Sequence, residues 1–542
     1  MKPSKFHLFL FSIFFLSSLS YSETITDYLK FFSSLKSRIP GYEGNKKAAN
    51  FIENKFKEIG LKNVKEEEFL TAIPVEKYAY LQQGKERIRI YSLWPNLVRT
   101  STLPPEGFES RLIYGGKGDL KALEGKDISN SIVVLDFDSD DTWTTLAMLG
   151  VRGFIFLNSG DITRKEAERK FLRIPVDVPR FYADENSEKI KNLALRGEKV
   201  KLFAKVDWEN IPNFNIYGVV EGTDEKLKDQ IIILESYYDS ISVVPSIAPG
   251  ASSACGIATL LKLAEFFVKN PPKRTVLFLA TSSHFESMKG IDDFIQKHSR
   301  NIAPFSERIP DDEKILPKLF IGLELSDGSD ELAIWHNSYD FYTQRFFAPF
   351  GKKFLSYSKK ICAKYGYNPE TALMNGISPE KGIIWQTFLP EPLRTDGEYM
   401  ILSGNPAISF VTVNDGRWKV DTPIDTFENL NLDNIKKQYK FLERLLSLAI
   451  NDNEFFPDTL LELKDKMATL IPKVVTFNPR KSFVPNDPVP GALVIPRMYE
   501  IYPNFYSKKT FTGVRGDIVE MTDKDGKDNI SRFQLGTQVF LY

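Results

Sequence analysis

Four histidines, His7, His284, His298 and His336, are the whole imidazole supply of this 542-residue chain. A catalytic zinc usually takes at least one imidazole and often more, so metal chemistry of that kind starts from a thin stock. Two cysteines, Cys255 and Cys362, stand far apart, and spacing alone does not say whether they pair. The run Asp523-Lys524-Asp525-Gly526-Lys527-Asp528-Asn529 superficially suggests a calcium loop. It lacks the closing Glu and the flanking helices of such a loop, so Asp525-Gly526 reads as a hairpin turn. Arg515-Gly516-Asp517 spells an adhesion tripeptide, but so short a match arises by chance, and it falls within a predicted strand.

The segment that could gather reactive groups is 231–294, which runs IIILESYYDS, APGASSACGIATLLKLAEFF and KRTVLFLATSSHFESMKGIDDF. It reads as a strand, a Gly-rich turn opening a helix, a second strand and a second loop-to-helix step. Upstream, two helices are expected over 24–35 and 45–59, the second stopped by Gly60, followed by a strand over 64–70. Residues 85–206 change character, with short β-like runs between Gly and charged turns, and read as a β-rich insert. After it, 216–220 and 230–234 are expected to pair as strands across a polar turn. Apolar strands then alternate with amphipathic helices to about residue 452, the pattern of an α/β layer. A Pro-studded linker over 453–488 leads to a C-terminal β domain over 489–542, or from near 465.

Lys+Arg and Asp+Glu both number 71, so nothing favours nucleic acid or a strongly charged partner. The N-terminus reads as a signal peptide over 1–22: Lys2 and Lys5 precede an apolar run from Phe6 to Leu19, too short for an ordinary membrane span. No other stretch is long enough to cross a bilayer. The expectation is a soluble mature protein exported to the periplasm or the cell exterior.

Six blocks in order give a resemblance. SRIPGYEGNKKAANFIENKFKEIGL, NIYGVVEGT, APGASSACGIATLLKLAEFF, KRTVLFLATSS, NPAISFV and DTPIDTFENLN resemble the di-zinc aminopeptidase family of metallopeptidase clan MH. That family also includes glutamate carboxypeptidase and the non-catalytic transferrin receptor and nicastrin. The match covers 24–84 and 210–452. In the insert, GKGDLKALEGKDISNSIVVLD and the run through GVRGFIF resemble a protease-associated domain. The resemblance implies a mixed-sheet, three-layer α/β domain over 23–84 and 207–452, the protease-associated insert and a C-terminal β-sandwich.

Carried over residue by residue, the resemblance implies a rewritten site. The His-x-Asp strand end corresponds to Tyr237-Tyr238-Asp239, the bridging Asp to Ser252, and the paired Glu-Glu to His284-Phe285. The next carboxylate corresponds to Glu324, and the last His to Gly397, after Asp396. Five ligand positions thus hold Tyr, Ser, Phe, Glu and Gly, where a zinc needs three protein donors plus water. No catalytic residue, metal or cofactor is therefore expected, and the chain is read as a pseudo-peptidase that binds a peptide or protein. One alternative is an active metallo-aminopeptidase using zinc or another cation on Asp239, His284, Glu324 and Asp396. Another is a metal-free hydrolase pairing His284 with Ser252 or Cys255 at a helix N-terminus.

Overall fold

The computed structural model describes residues 24–541 except 173, 301–313, 337, 339–340, 378–392, 457–462, 500–517, 529 and 535–537. The expected signal peptide and the Arg515-Gly516-Asp517 tripeptide lie outside the described residues.

Helix α1 (Ile25–Ser34) opens on a capping box, Thr24 accepting from the Asp27 amide while Asp27 accepts from the Thr24 amide. Helix α2 (Glu43–Ile59) ends at Gly60 in the left-handed conformation. Strand β1 (Lys62–Gln83) is far longer than the expected 64–70, because it has a partner of equal length. The insert follows: β2 (Glu86–Arg89), β3 (Tyr91–Ser92), β4 (Phe108–Gly116), β5 (Ile132–Asp136), α3 (Thr142–Met148), β6 (Gly153–Leu157), α4 (Arg164–Glu168), β7 (Arg180–Ala183) and α5 (Ser187–Leu195). Strand β8 (Lys199–Val220) then runs antiparallel to β1 from Lys201 opposite Gln82 to Val219 opposite Lys62. This ribbon carries the chain out of the host domain and back again.

The host sheet continues with β9 (Ile232–Tyr237), helix α6 (Ala254–Lys269), β10 (Val276–Thr281), α7 (Lys289–Phe294) and β11 (Leu319–Glu324). After these come β12 (Leu332–Trp335), α8 (Phe341–Tyr365), β13 (Met374–Asn375), α9 (Gly397–Leu402), β14 (Ala407–Thr412) and α10 (Leu432–Asn451). The strand order is β13-β12-β14-β11-β9-β10-β8 and then on into the insert as β4-β5-β6-β7-β3. The expected pairing of 216–220 with 230–234 is therefore wrong. Strand β10 lies between them, antiparallel to β8 and parallel to β9, because the βαβ crossover through α6 places its strand on that side. Strands β10, β9, β11 and β14 are mutually parallel along the order, so their C-terminal ends and the following loops gather at one edge. Helix α6 packs on β9 and β11 with α1, α2 and α10 against it, while α7 and α9 meet each other and flank β8 and β14 respectively.

Among the described residues beyond α10 the chain forms short antiparallel strand pairs, which show the expected C-terminal β-sandwich only in part. Strand β15 (Met467–Leu470) pairs with β21 (Ile530–Gln534), and β16 (Val475–Thr476) with β17 (Asp487–Pro488). Likewise β18 (Leu493–Val494) pairs with β20 (Glu520–Met521), and β19 (Pro496–Tyr499) with β22 (Gln538–Leu541). Val494, Ile518 and Ile530 form its small core. The acidic run at 523–528 is a hairpin turn, with the Asp523 carboxylate accepting from the amides of Asp525 and Lys527.

Candidate functional site

The candidate site lies at the C-terminal ends of the parallel strands β9, β10 and β11 and in the loops that follow them and β14, with Asp396 entering just before α9; open α/β sheets bind ligands at such strand ends. Tyr237 is the last residue of β9, and its phenol donates to Glu324 Oε1 at the end of β11 (2.9 Å). Its ring lies 4.0 Å from that of His284 at 17°, and meets Phe285 edge-on at 5.4 Å. Arg417, from the loop after β14, brings its guanidinium to the same Glu324 oxygen at 3.4 Å with both side chains buried. A phenol and a guanidinium thus share the carboxylate.

Ser252 stands in the turn before α6. Its hydroxyl lies 2.8 Å from Asp327 Oδ1 and 2.9 Å from Asp425 Oδ1, and its amide donates to Asp425 as well. Burial, reinforced by Asp327, pushes the Asp425 carboxyl up to about 6, against the stabilising Ser252 bonds. Lys419 reaches Asp327 Oδ2 at 3.3 Å and also donates to the Asn429 carbonyl. Arg38, wholly buried after α1, donates to the carbonyls of Tyr238, Pro249 and Gly250 and so fixes the turn that carries Ser252.

His284, after β10, bonds through Nδ1 to Asp396 Oδ1 at 2.7 Å. Burial disfavours its cation, but Asp396, Glu324 and Asp239 outweigh that and hold its pKa above the ordinary value. Asp396 Oδ2 accepts from Thr281, which also bonds Glu235, a carboxyl inside the apolar strand β9. Burial first and Asp396 second keep Glu235 protonated well above the usual carboxylate range. Asp239, buried, is pushed up to about 7 chiefly by burial; its Oδ2 accepts weakly from the Phe285 amide, and its Oδ1 has no partner among the described residues.

Of the eight positions named from sequence, Tyr237, His284, Phe285 and Glu324 form one contiguous group, with Asp239 and Asp396 against His284. Ser252 belongs to a separate group around Asp327 and Asp425. Gly397 opens α9 and offers no side chain. The Ser–His and Cys–His pairings are not formed: His284 bonds Asp396, Ser252 bonds two carboxylates, and the Cys255 thiol faces the Ala251 carbonyl in the turn before α6. Burial and the nearby Asp327 and Asp425 push that thiol up rather than acidifying it. Among the described residues no three His, Cys, Asp or Glu side chains converge as a metal site.

Sequence reasoning missed Arg417, Lys419, Asp327, Asp425 and Glu235. The signal was present: Glu235 interrupts the apolar run IIILESYY, and RWKVD places two cations just before the last recognised block. Trp418, between those cations, is 53% exposed, and its carbonyl accepts from the Arg164 amide of the insert (2.7 Å).

Residues 215–344 match the model of peptidase family M28. The chain is 33% identical over 90 residues to a vacuolar membrane protease of Schizophyllum commune, and 30% identical over 90 residues to one of Laccaria bicolor. Each match spans 16% of this chain but only 9% and 8% of those proteins, so the chain covers under a tenth of their length. The expected periplasmic or extracellular location is corrected by this comparison, since both curated relatives are named for the vacuolar membrane. Solved structures similar to the chain include BSAP, a zinc aminopeptidase from Bacillus subtilis, at 14% identity and TM-score 0.48, covering 81% of this chain and 97% of that one. A peptidase M28 precursor from Shewanella amazonensis gives 15% identity and TM-score 0.49, with 81% and 94% covered. Among the described residues no helix is long and apolar enough to cross a membrane.

Proposed function

We propose that this peptidase-family chain does not hydrolyse peptides and instead binds a peptide or protein partner. The observation that carries the reading is internal neutralisation: Arg417 sits on Glu324, Lys419 on Asp327, and the Tyr237 hydroxyl donates a hydrogen bond to the Glu324 oxygen a metal would need. A pair of zinc ions does not fit this donor set. A phenol that donates to a carboxylate has no lone pair aimed at the same point, Phe285 cannot ligate, and a guanidinium 3.4 Å from the surviving carboxylate repels a second cation. His284 stands where the resemblance puts the general base, but it is already bonded to Asp396 and would have no metal-bound water to act on. The insert, read as a protease-associated domain, would form the partner's seat together with Trp418 at its seam with the host.

The test combines metal content with turnover. Purified protein stripped and then offered zinc, manganese or calcium is expected to retain no stoichiometric metal and to leave aminoacyl anilides uncleaved. Stoichiometric metal together with hydrolysis abolished by Glu324→Ala would establish the active aminopeptidase instead. For the binding half, unstructured peptides are expected to quench a tryptophan emission component that Trp418→Ala removes; indifference to a diverse peptide mixture counts against it.

A further inference from the structure

The hairpin β16–β17 plays no part in the candidate site, and its tip carries Phe483, the most exposed large hydrophobic side chain among the described residues. Phe483 is 94% exposed, Val484 66% and Phe477 55%. Between Lys473 and Asn486 the chain carries Lys473, Arg480 and Lys481 and no acidic residue. Lys481 is loosely tied to Asp487 at the hairpin base (3.4 Å) and remains exposed, while Arg480 makes no ion pair among the described residues. We propose that this tip docks the chain onto an anionic lipid surface, with Phe477, Phe483 and Val484 entering the interface and Arg480 and Lys481 held at the headgroups.

Backbone polarity separates this tip from an ordinary exposed loop. Entering an apolar layer is costly for any unpaired N–H. Here the Arg480 amide donates to Asn478 Oδ1 (3.0 Å), and the Lys481 and Ser482 amides to the Asn478 carbonyl (2.9 and 3.1 Å). The Val484 amide donates to Ser482 Oγ (3.0 Å). Pro479 and Pro485 have no N–H to satisfy. From 479 to 485, only the Phe483 amide lacks such a bond. The order aromatic, basic pair, aromatic matches an interface that takes rings at the acyl boundary and cations at phosphate level.

Because the apolar run Phe6–Leu19, where retained in the purified protein, would itself partition into vesicles, the readout must sit on the tip. Cys255 and Cys362 are buried, so Val484→Cys in the full chain can be labelled selectively with an environment-sensitive fluorophore. Added phosphatidylcholine vesicles containing about a quarter phosphatidylserine should blue-shift the label, and brominated acyl chains should quench it. The Arg480→Glu, Lys481→Glu pair should weaken the response about tenfold, and Phe483→Asp should abolish it while leaving the thermal midpoint unchanged. An unshifted label, an equal response to pure phosphatidylcholine, or a shift that survives Phe483→Asp overturns the proposal. So does a shift produced only by a purified protein partner, which would make the tip a protein-docking element.

Discussion

A guanidinium and an ammonium, those of Arg417 and Lys419, take up the negative charge of Glu324 and Asp327 within the candidate site. Removing one member of a buried pair leaves the other uncompensated, so Arg417→Ala should destabilise the protein by about 3 kcal/mol. Glu324→Gln in the same chain should restore much of that loss; urea titrations yielding additive effects would rule out the pairing. Protons do the same work elsewhere. Burial holds Asp239 at about 7 and Asp425 at about 6, both above the unfolded carboxyl near ~3.9. Each therefore binds its proton more tightly when folded, and its stabilising contribution is present at low pH and lost as pH rises through the folded pKa. Burial pulls His284 down, but Asp396, Glu324 and Asp239 together more than offset it, and its contribution likewise disappears as pH climbs. The denaturation midpoint should accordingly fall as pH rises from about 4 to about 7, and Asp239→Asn should flatten the profile. A midpoint that rises over that interval contradicts the assignment.

Helix α6 and the turn before it show how tightly the elements are held. A Cβ on Gly256 would meet Ser236 Oγ at 2.3 Å and the Leu323 carbonyl at 2.5 Å, so only glycine lets α6 lie against β9 and β11. Gly256→Ala should cost about 2 kcal/mol or more through overpacking, read as a drop in the midpoint of urea unfolding; an unchanged midpoint would mean the helix can slide. Gly250 adopts φ +55°, and a Cβ there would fall 2.5 Å from Ser240 Cβ. Local patterns revealed α1, α2 and α6, because caps, Gly60 and the 3.6-residue period are written in neighbouring residues. The placement of β10 between β8 and β9 was not visible, since it depends on a crossover that no local pattern encodes.

Over the whole molecule, host and insert share one sheet and one of the cores. Trp143, Phe154 and Phe156 of the insert pack in the same cluster as Tyr237, Ile241, Val243 and Phe285 of the host. Arg164 of α4 adds a buried bond to Asp421 Oδ2 at 3.1 Å. The two are therefore expected to unfold in a single calorimetric transition, and Trp143→Ala should lower that transition as a whole by about 3–5 kcal/mol. Separate melting of the insert would show that the shared cluster contributes little.

Block order in the sequence carried the α/β reading and the resemblance to a peptidase framework, because strand ends, turns and helix caps are written in neighbouring residues. Only the folded structure decided which charged side chains face one another at those strand ends. The pairing of Arg417 with Glu324 joins residues 93 apart in the chain, and that of Ser252 with Asp425 joins residues 173 apart. Charge neutralisation acts through space, over a few ångströms set by strand order and loop return, and one-dimensional spacing carries no record of those distances.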